Sequence, residues 1–568
     1  MSLHRIKSLL VELYGSEKGD TVYEKIGRLI NDFPKKSEKY QDYFSHEDVV
    51  LISYGDSIRS HGSTTPLETL HSFCNRYLDD AISTVHLLPF FPYSSDDGFS
   101  VKDFYAVDPA LGAWEDITSF GNDFKMMFDF VLNHISAQSN WFGCYLEESD
   151  DFRELAIEVD PATDLSMVTR PRSLPLLTAF EKASGEKVHL WTTFSADQVD
   201  INYSSVTILI KMIEVMLFYV KMGATILRLD AIAYLWKEIG TSCIHLDSTH
   251  KVVKLFRAIL DEIAPEVMII TETNVPHAEN ISYFGNGNDE AQMVYNFTLP
   301  PLLLHAFLKE DTGLLTEWVS SLTLPSPTNT FFNFTASHDG VGVRPLEGIL
   351  EKQEIDDIIA LVTQNGGMVS TKRNSDGSDS PYELNISYVD AYLQGEQGQD
   401  PLHAKRFLAS QAIQMTLPGV PAFYIHSLLG THNWTEGVKQ TDHARTINRQ
   451  KLNLEELEKD LSNPDSFRSQ VFYPFRELIR IRRRQPAFHP KSGFNVLNLD
   501  ASLFALERHT SEQALVCITN ITDKIQTTQL ASECLPETVI DLISNETVNT
   551  RSIVLNPYRS LWLTDKPY

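Results

Sequence analysis

The chain has 568 residues, with 48 Lys plus Arg against 76 Asp plus Glu, and a formal charge of −28. That surplus of carboxylates argues against a nucleic-acid or acidic-membrane partner, since polyanion binding rests on clustered cations. Hydrophobic residues make up 42 % and charged residues 22 %, the composition of a soluble globular protein and not of a fibre or disordered tail. The length exceeds the ~250–300 residues at which single cores stop growing, so one large domain with appendages is expected.

The start, MSLHRIKSLLVELYGSEKGD, reads as an amphipathic helix and has no apolar core or cleavage site of a secretion signal. No stretch approaches the ~18 apolar residues of a membrane span. Five scattered cysteines, Cys74, Cys144, Cys243, Cys517 and Cys534, form no CxxC pattern and read as buried thiols of a reducing compartment. Cytoplasm is the expected address.

Eight short apolar runs follow in order: VVLISY (49–54), TVHLLPF (84–90), KMMFDFVLNH (125–134), ATILRLD (224–230), VMIITET (267–273), MVYNF (293–297), FFNFTASHD (331–339) and GVPAFYI (419–425). Helix-period segments such as VTILIKMIEVMLFYVKMG and THKVVKLFRAILDEIAP separate several of them. Alternating strands and helices predict a parallel α/β sheet, and eight strands predict a (β/α)₈ TIM barrel whose C-terminal strand ends build the site. Polar residues stand at those ends: Asp56, His134, Asp230, Glu272 and Asp339.

Two connections exceed ordinary barrel loops and read as inserted loop domains, 143–203 and 341–395. The expected order is an N-terminal helical extension (1–45), barrel segments 46–142, 204–340 and 396–489 around the insertions, and a C-terminal domain (490–568). The runs SLFALER, ALVCITN, TVIDLIS and RSIVLN give that last domain an antiparallel β pattern.

Asp230, Glu272 and Asp339 close successive strand segments and converge at the mouth of such a barrel. Retaining glycoside chemistry needs a carboxylate to attack the anomeric carbon and a protonated carboxyl to release the leaving oxygen. A third carboxylate opposes the developing oxocarbenium charge. Singly, each has a plainer reading: Asp230 paired with Arg228, Glu272 as a helix cap, His338 and Asp339 bracing a loop.

VLNHIS, RLDAIAY, TETNVP and TASHDGVG resemble, in order, the four conserved segments of the α-amylase family. HLLPFFPYSSDDGFS, RPRSLPL, FSADQVDIN, GTSCIHL, FTLPPLLLHA and ARTINR resemble its sucrose phosphorylase branch. The resemblance implies Asp230 as nucleophile, Glu272 as acid/base and Asp339 as transition-state stabiliser. It implies a glucose site of Asp96, His134, Gln198, Arg228, His338 and Arg445, with Phe99 and Phe194 as its apolar wall. An ion pair between Asp96 and Arg445 is expected to close the pocket around one ring. Arg172 and Tyr234 match phosphate-contacting positions, although Arg170 and Arg172 also fit a loop-anchoring role.

The acceptor side departs from sucrose phosphorylases at Thr169, Asn274 and Pro381-Tyr382-Glu383. TETNVPH, RPRSLPLLTAF and SPYELN resemble instead the phosphorylases of glucosylglycerate and glucosylglycerol. Asp379 stands where the glucosylglycerate enzymes carry Arg, and an acidic pair of Asp379 and Glu383 suits a polyol, while Lys372 and Arg373 are candidates to serve a carboxylate. The resulting expectation is a retaining phosphorylase of 2-O-α-glucosylglycerol with Asn274, Asp379, Tyr382 and Glu383 at the acceptor. Glucosylglycerate or sucrose phosphorylase, a glucosidase or transglucosylase with the same triad, and a non-catalytic sugar-binding barrel are the alternatives. No cofactor or metal is expected; inorganic phosphate is the co-substrate, and small sugars and polyols are the partners. Asn133 matches a calcium-ligating position of many amylases, without an acidic cage beside it.

Overall fold

The computed structural model describes residues 2–34, 42–374, 377–530 and 535–568. Residues 35–41 of the extension and Cys534 lie outside that set. Eight parallel strands close a barrel in sequence order: β1 (Val50–Ser53), β2 (Thr84–Leu87), β3 (Lys125–Phe130), β4 (Ala224–Leu229), β5 (Met268–Thr271), β6 (Met293–Tyr295), β7 (Thr330–Asn333) and β8 (Val420–Tyr424). Each lies inside one of the eight apolar runs except β7, which begins one residue early at Thr330, and β8 pairs in parallel with β1 to remove the last edge.

Register sets what meets at the mouth. Asp129 of β3 is level with Arg228 of β4, which is level with Ile270 of β5. Leu229 is level with Thr271, so Asp230 and Glu272 leave adjacent strands at one height. Asp339 comes from the loop that follows β7.

The helix Val206–Lys221 is apolar around most of its circumference. The N-terminal helices Ser2–Tyr14 and Ser16–Asp32 explain this, since the second packs on it and the first packs on Asp247–Ile263. Ile6, Leu10, Val22 and Ile26 are buried in that seam. Tyr14 donates its hydroxyl to the Tyr203 carbonyl at 2.7 Å, and Arg5 pairs with Asp261 at 3.1 Å.

Between β3 and β4 the chain forms two short antiparallel pairs, His134–Ser136 with Gln198–Asp200 and Leu177–Glu181 with Lys187–Trp191. After β7, Val341–Gly342, Asp379–Asn385 and Met368–Arg373 form a three-stranded antiparallel sheet, with a bulge between the pairs Ser370–Glu383 and Thr371–Pro381, within the stretch read as an inserted loop domain. The C-terminal domain has a six-stranded antiparallel sheet. Its strands include Gly493–Val496, Thr547–Asn549 and Ser560–Thr564, beyond the runs evident in the sequence, and the run RSIVLN pairs apart from it, Ile553–Leu555 with Gln526–Thr528. Cys74, Cys243 and Cys517 are buried thiols, whereas Cys144 is only partly covered. Among the described residues no helix is long and apolar enough to cross a membrane.

Candidate active site

A cavity of about 680 Å³, counting its open mouth, lies at the C-terminal end of the barrel. Asp230, Glu272 and Asp339 all line it, with Asp96, Phe99, His134, Phe194, Gln198, His338 and Arg445. Arg172, Tyr234, Asn274, Tyr382 and Glu383 complete the part of the wall read from the sequence. Arg228 lies beneath it, 2 % exposed.

Arg228 organises the floor. It bonds the buried Asp129 and places Nη1 2.7 Å from Asp230 Oδ1, with Nη2 3.8 Å from Glu272 Oε2. His86 of β2 lies 2.8 Å from the other Asp129 oxygen, which fixes that carboxylate. Asp129 was hidden in the sequence because it sits inside an otherwise apolar strand. Ala231 has a left-handed backbone, φ 49°, which turns its N–H to donate to Glu272 Oε2 at 3.0 Å. Burial pushes the Glu272 carboxyl up to about 7, despite Arg228. Burial also raises Asp230, opposed by Arg228. Because Asp230 has the direct arginine bond and Glu272 only the longer contact, a proton shared by the pair resides on Glu272.

On Asp339, burial alone would raise the carboxyl, but Arg445, Arg449, Arg228 and Arg172 outweigh it and hold it below the usual range. Arg445 Nη1 is 2.6 Å from Asp339 and its Nη2 is 2.9 Å from Glu383. The expected Asp96–Arg445 pair is therefore corrected: two other carboxylates take the guanidinium, and Asp96 accepts from Gln198 Nε2 at 3.3 Å. Asp96 and Asp97 are both left-handed, at φ 52° and 47°; Asp97 meets Arg449 at 2.6 Å. Arg449, missed in the sequence, also donates to the His338 carbonyl at 2.8 Å. The His338 ring stacks on Phe99 at 4.6 Å, and burial keeps it neutral by pushing its pKa well down.

The two insertions meet over the cavity. Arg172, from the first, lies 3.6 Å from Glu383 of the second and 5.8 Å from the Tyr382 ring centroid. Burial drives the Tyr382 hydroxyl up to about 12, keeping it a donor. Arg170 instead anchors its own loop on the Leu174 carbonyl. Asp379 does not line the cavity: it pairs with Arg373 across the hairpin at 3.1 Å, 43 % of its side chain exposed. Lys372 faces Glu347 at 3.5 Å. The acidic pair inferred for a polyol is thus divided: a bulge at Tyr382, between the pairs Ser370–Glu383 and Thr371–Pro381, breaks the strand's alternation, so that Glu383 lines the cavity and Asp379, four residues away, does not. Asp56 also lies outside the cavity, held by Lys451 and Arg59 at 2.5 Å each.

Asn133 and Asp200 meet Lys237, whose Nζ donates to Asn133 Oδ1 at 2.9 Å and lies 2.5 Å from Asp200. An ammonium from the chain itself fills the position between these two oxygens. Among the described residues no group of three or more His, Cys, Asp or Glu is arranged to hold a metal ion.

This barrel, with carboxylates on adjacent strands and a third across the mouth, defines a glycoside-active enzyme. A family model described as "Alpha amylase, catalytic domain" matches residues 76–323. A glucosylglycerate phosphorylase of Spirochaeta thermophila is 46 % identical over 591 residues, covering 99 % of this chain and 98 % of that one. A glucosylglycerol phosphorylase of Marinobacter adhaerens is 28 % identical over 472 residues, covering 81 % and 92 %. The crystal structure of sucrose 6F-phosphate phosphorylase from Thermoanaerobacter thermosaccharolyticum has the same fold, with a TM-score of 0.75 at 23 % identity, covering 91 % of this chain and 99 % of that one. The chain belongs to the α-amylase family, in its glucoside phosphorylase branch, and is a hexosyl-transferring enzyme.

Proposed function

We propose that the protein catalyses reversible phosphorolysis of 2-O-α-glucosylglycerate, giving α-glucose 1-phosphate and glycerate with retention of configuration. The observation that carries the acceptor is the position of Arg172: it is the cation at the open side of the cavity, 3.6 Å from its nearest carboxylate, while Asp379 faces away. An anionic acceptor suits that arrangement better than a neutral polyol. The near full-length similarity to a glucosylglycerate phosphorylase supports the same choice.

In this reading Glu272 gives its proton to the glycosidic oxygen while Asp230 attacks the anomeric carbon, forming a glucosyl ester and releasing glycerate. Phosphate enters beside Arg172 and Tyr382 and displaces Asp230, with Glu272 taking up the phosphate's proton. Two inversions give net retention. Asp339, fully ionised, opposes the positive charge of each transition state. His338, His134, Gln198 and Asp96 offer donors and acceptors to one glucose ring, and Phe99 and Phe194 shelter the ester from water.

The test is an acceptor panel with α-glucose 1-phosphate. Phosphate release is expected to be fastest with glycerate, ahead of glycerol, fructose and fructose 6-phosphate. Faster turnover of glycerol favours the second reading, glucosylglycerol phosphorolysis, which the inward Glu383 supports. Rapid glucose release indifferent to phosphate overturns both in favour of a hydrolase.

A further inference from the structure

The strand Val341–Gly342 leaves the loop that carries Asp339 and pairs with Leu384 and Glu383. It thus runs from the glucose side of the cavity to the acceptor side. Gly342 is buried there and has an ordinary negative φ, so backbone conformation does not require glycine. Space does. A Cβ at this position would lie 2.7 Å from Nδ2 and 2.9 Å from Cγ of Asn274, and closer still to Oδ1. Real Cβ atoms do not approach other atoms so closely, and a packed neighbour must shift to admit one.

Asn274 lines the cavity two residues beyond Glu272. Its Oδ1 is buried without a hydrogen-bond partner in the protein. Such an oxygen is unfavourable unless a donor arrives, and the residue that carries it lines the cavity. The glycerate formed by the proposed reaction has a free hydroxyl besides the one that carries glucose. That hydroxyl is the kind of donor Oδ1 lacks.

We propose that Gly342 is a specificity-determining residue of the acceptor site: by lacking a side chain it lets Asn274 stand back against the strand, where Oδ1 receives a hydroxyl of the departing group. This rests on the phosphorylase reading above. Gly342 touches no substrate and acts only through Asn274. Arg172 then meets the charged end of the acceptor and Asn274 the hydroxyl end, so two features of glycerate are read from opposite sides.

The experiment is a double-mutant cycle of Gly342→Ala and Asn274→Ala in the full chain. For each variant the KM for glycerate in synthesis from α-glucose 1-phosphate is compared with hydrolysis of the same donor without acceptor. Gly342→Ala is expected to raise the glycerate KM about tenfold, and to change the acceptor-free hydrolysis by less than about twofold. In the Asn274→Ala background the same change is expected to cost nothing further, because the added methyl then meets no amide. A KM unchanged by Gly342→Ala overturns the proposal, as does an effect that persists undiminished without Asn274. If Gly342→Ala fails to fold, the double variant decides: recovery of its folded circular-dichroism spectrum supports the clash with Asn274, and failure to recover overturns it. The phosphorylase reading fails separately, when the wild-type protein releases no phosphate with any acceptor.

Discussion

Arg445 holds Glu383 at 2.9 Å and so shares its guanidinium between that carboxylate and Asp339. Glu383 is 1 % exposed at the side chain and also lies within 3.6 Å of Arg172, so it competes with any incoming anion for that cation. Replacing Glu383 by Gln removes the competing charge while keeping a polar group of similar shape. The KM for phosphate is expected to fall by roughly threefold to tenfold, a gain of about 1 kcal/mol, and kcat to fall as product leaves more slowly. Initial rates across a phosphate series measure both, and a phosphate KM that rises refutes the assignment.

In the proposed mechanism the proton on Glu272 sets the pH profile. Burial raises this carboxyl to about 7, so the acid form is present below that pH and is lost as pH rises through it. Glycoside cleavage, which consumes the proton, should therefore lose about tenfold in kcat/KM per unit above pH ~7. Glu272→Gln should slow cleavage by about 10²–10⁴ and largely spare a donor whose leaving group needs no proton, such as α-glucosyl fluoride. A flat profile from pH 6 to 9 contradicts the role.

Lys237 neutralises Asp200 at 2.5 Å and bonds Asn133, which precedes the cavity residue His134. In Lys237→Ala the buried Asp200 keeps its charge without a cation, at a cost of about 3–5 kcal/mol. Thermal unfolding should occur at a lower temperature, and millimolar calcium should restore part of the loss by placing a cation between the same oxygens. A wild-type melting curve in the variant would show the ammonium to be dispensable.

The N-terminal helices give a stability test remote from the chemistry. Leu10 is fully buried where Ser2–Tyr14 meets the barrel helices. Leu10→Ala should cost about 2–5 kcal/mol, visible as a lower midpoint in chemical denaturation, with KM values unchanged.

The barrel was legible in the sequence because every strand is an apolar run that stops at a polar residue, and stopping there is what puts Asp230, Glu272 and the His338-Asp339 pair at the mouth. Side-chain pairing was not legible. Nothing in the spacing of Asp96, Asp339, Glu383 and Arg445 says which carboxylate an arginine will choose, since that depends on how two insertions fold against each other. Plain alternation over Asp379, Ser380, Pro381, Tyr382 and Glu383 puts the two acids on one face; the bulge at Tyr382 parts them, and the strand itself was not legible. Its neighbours TKRNSDGSDS are turn-formers, and they masked it. Lys237 carries no signal at all in sequence, because its partners Asn133 and Asp200 come from distant segments.

The late position of β8 has a consequence for biosynthesis. Asp230 and Glu272 leave the ribosome well before the strand Val420–Tyr424 that closes the ring, and the guanidinium groups that neutralise Asp339 and Glu383 emerge later still, at Arg445 and Arg449. A nascent chain halted before that point lacks the closing strand and both of those guanidinium groups, so the enzyme's chemistry switches on only when most of its length has been translated.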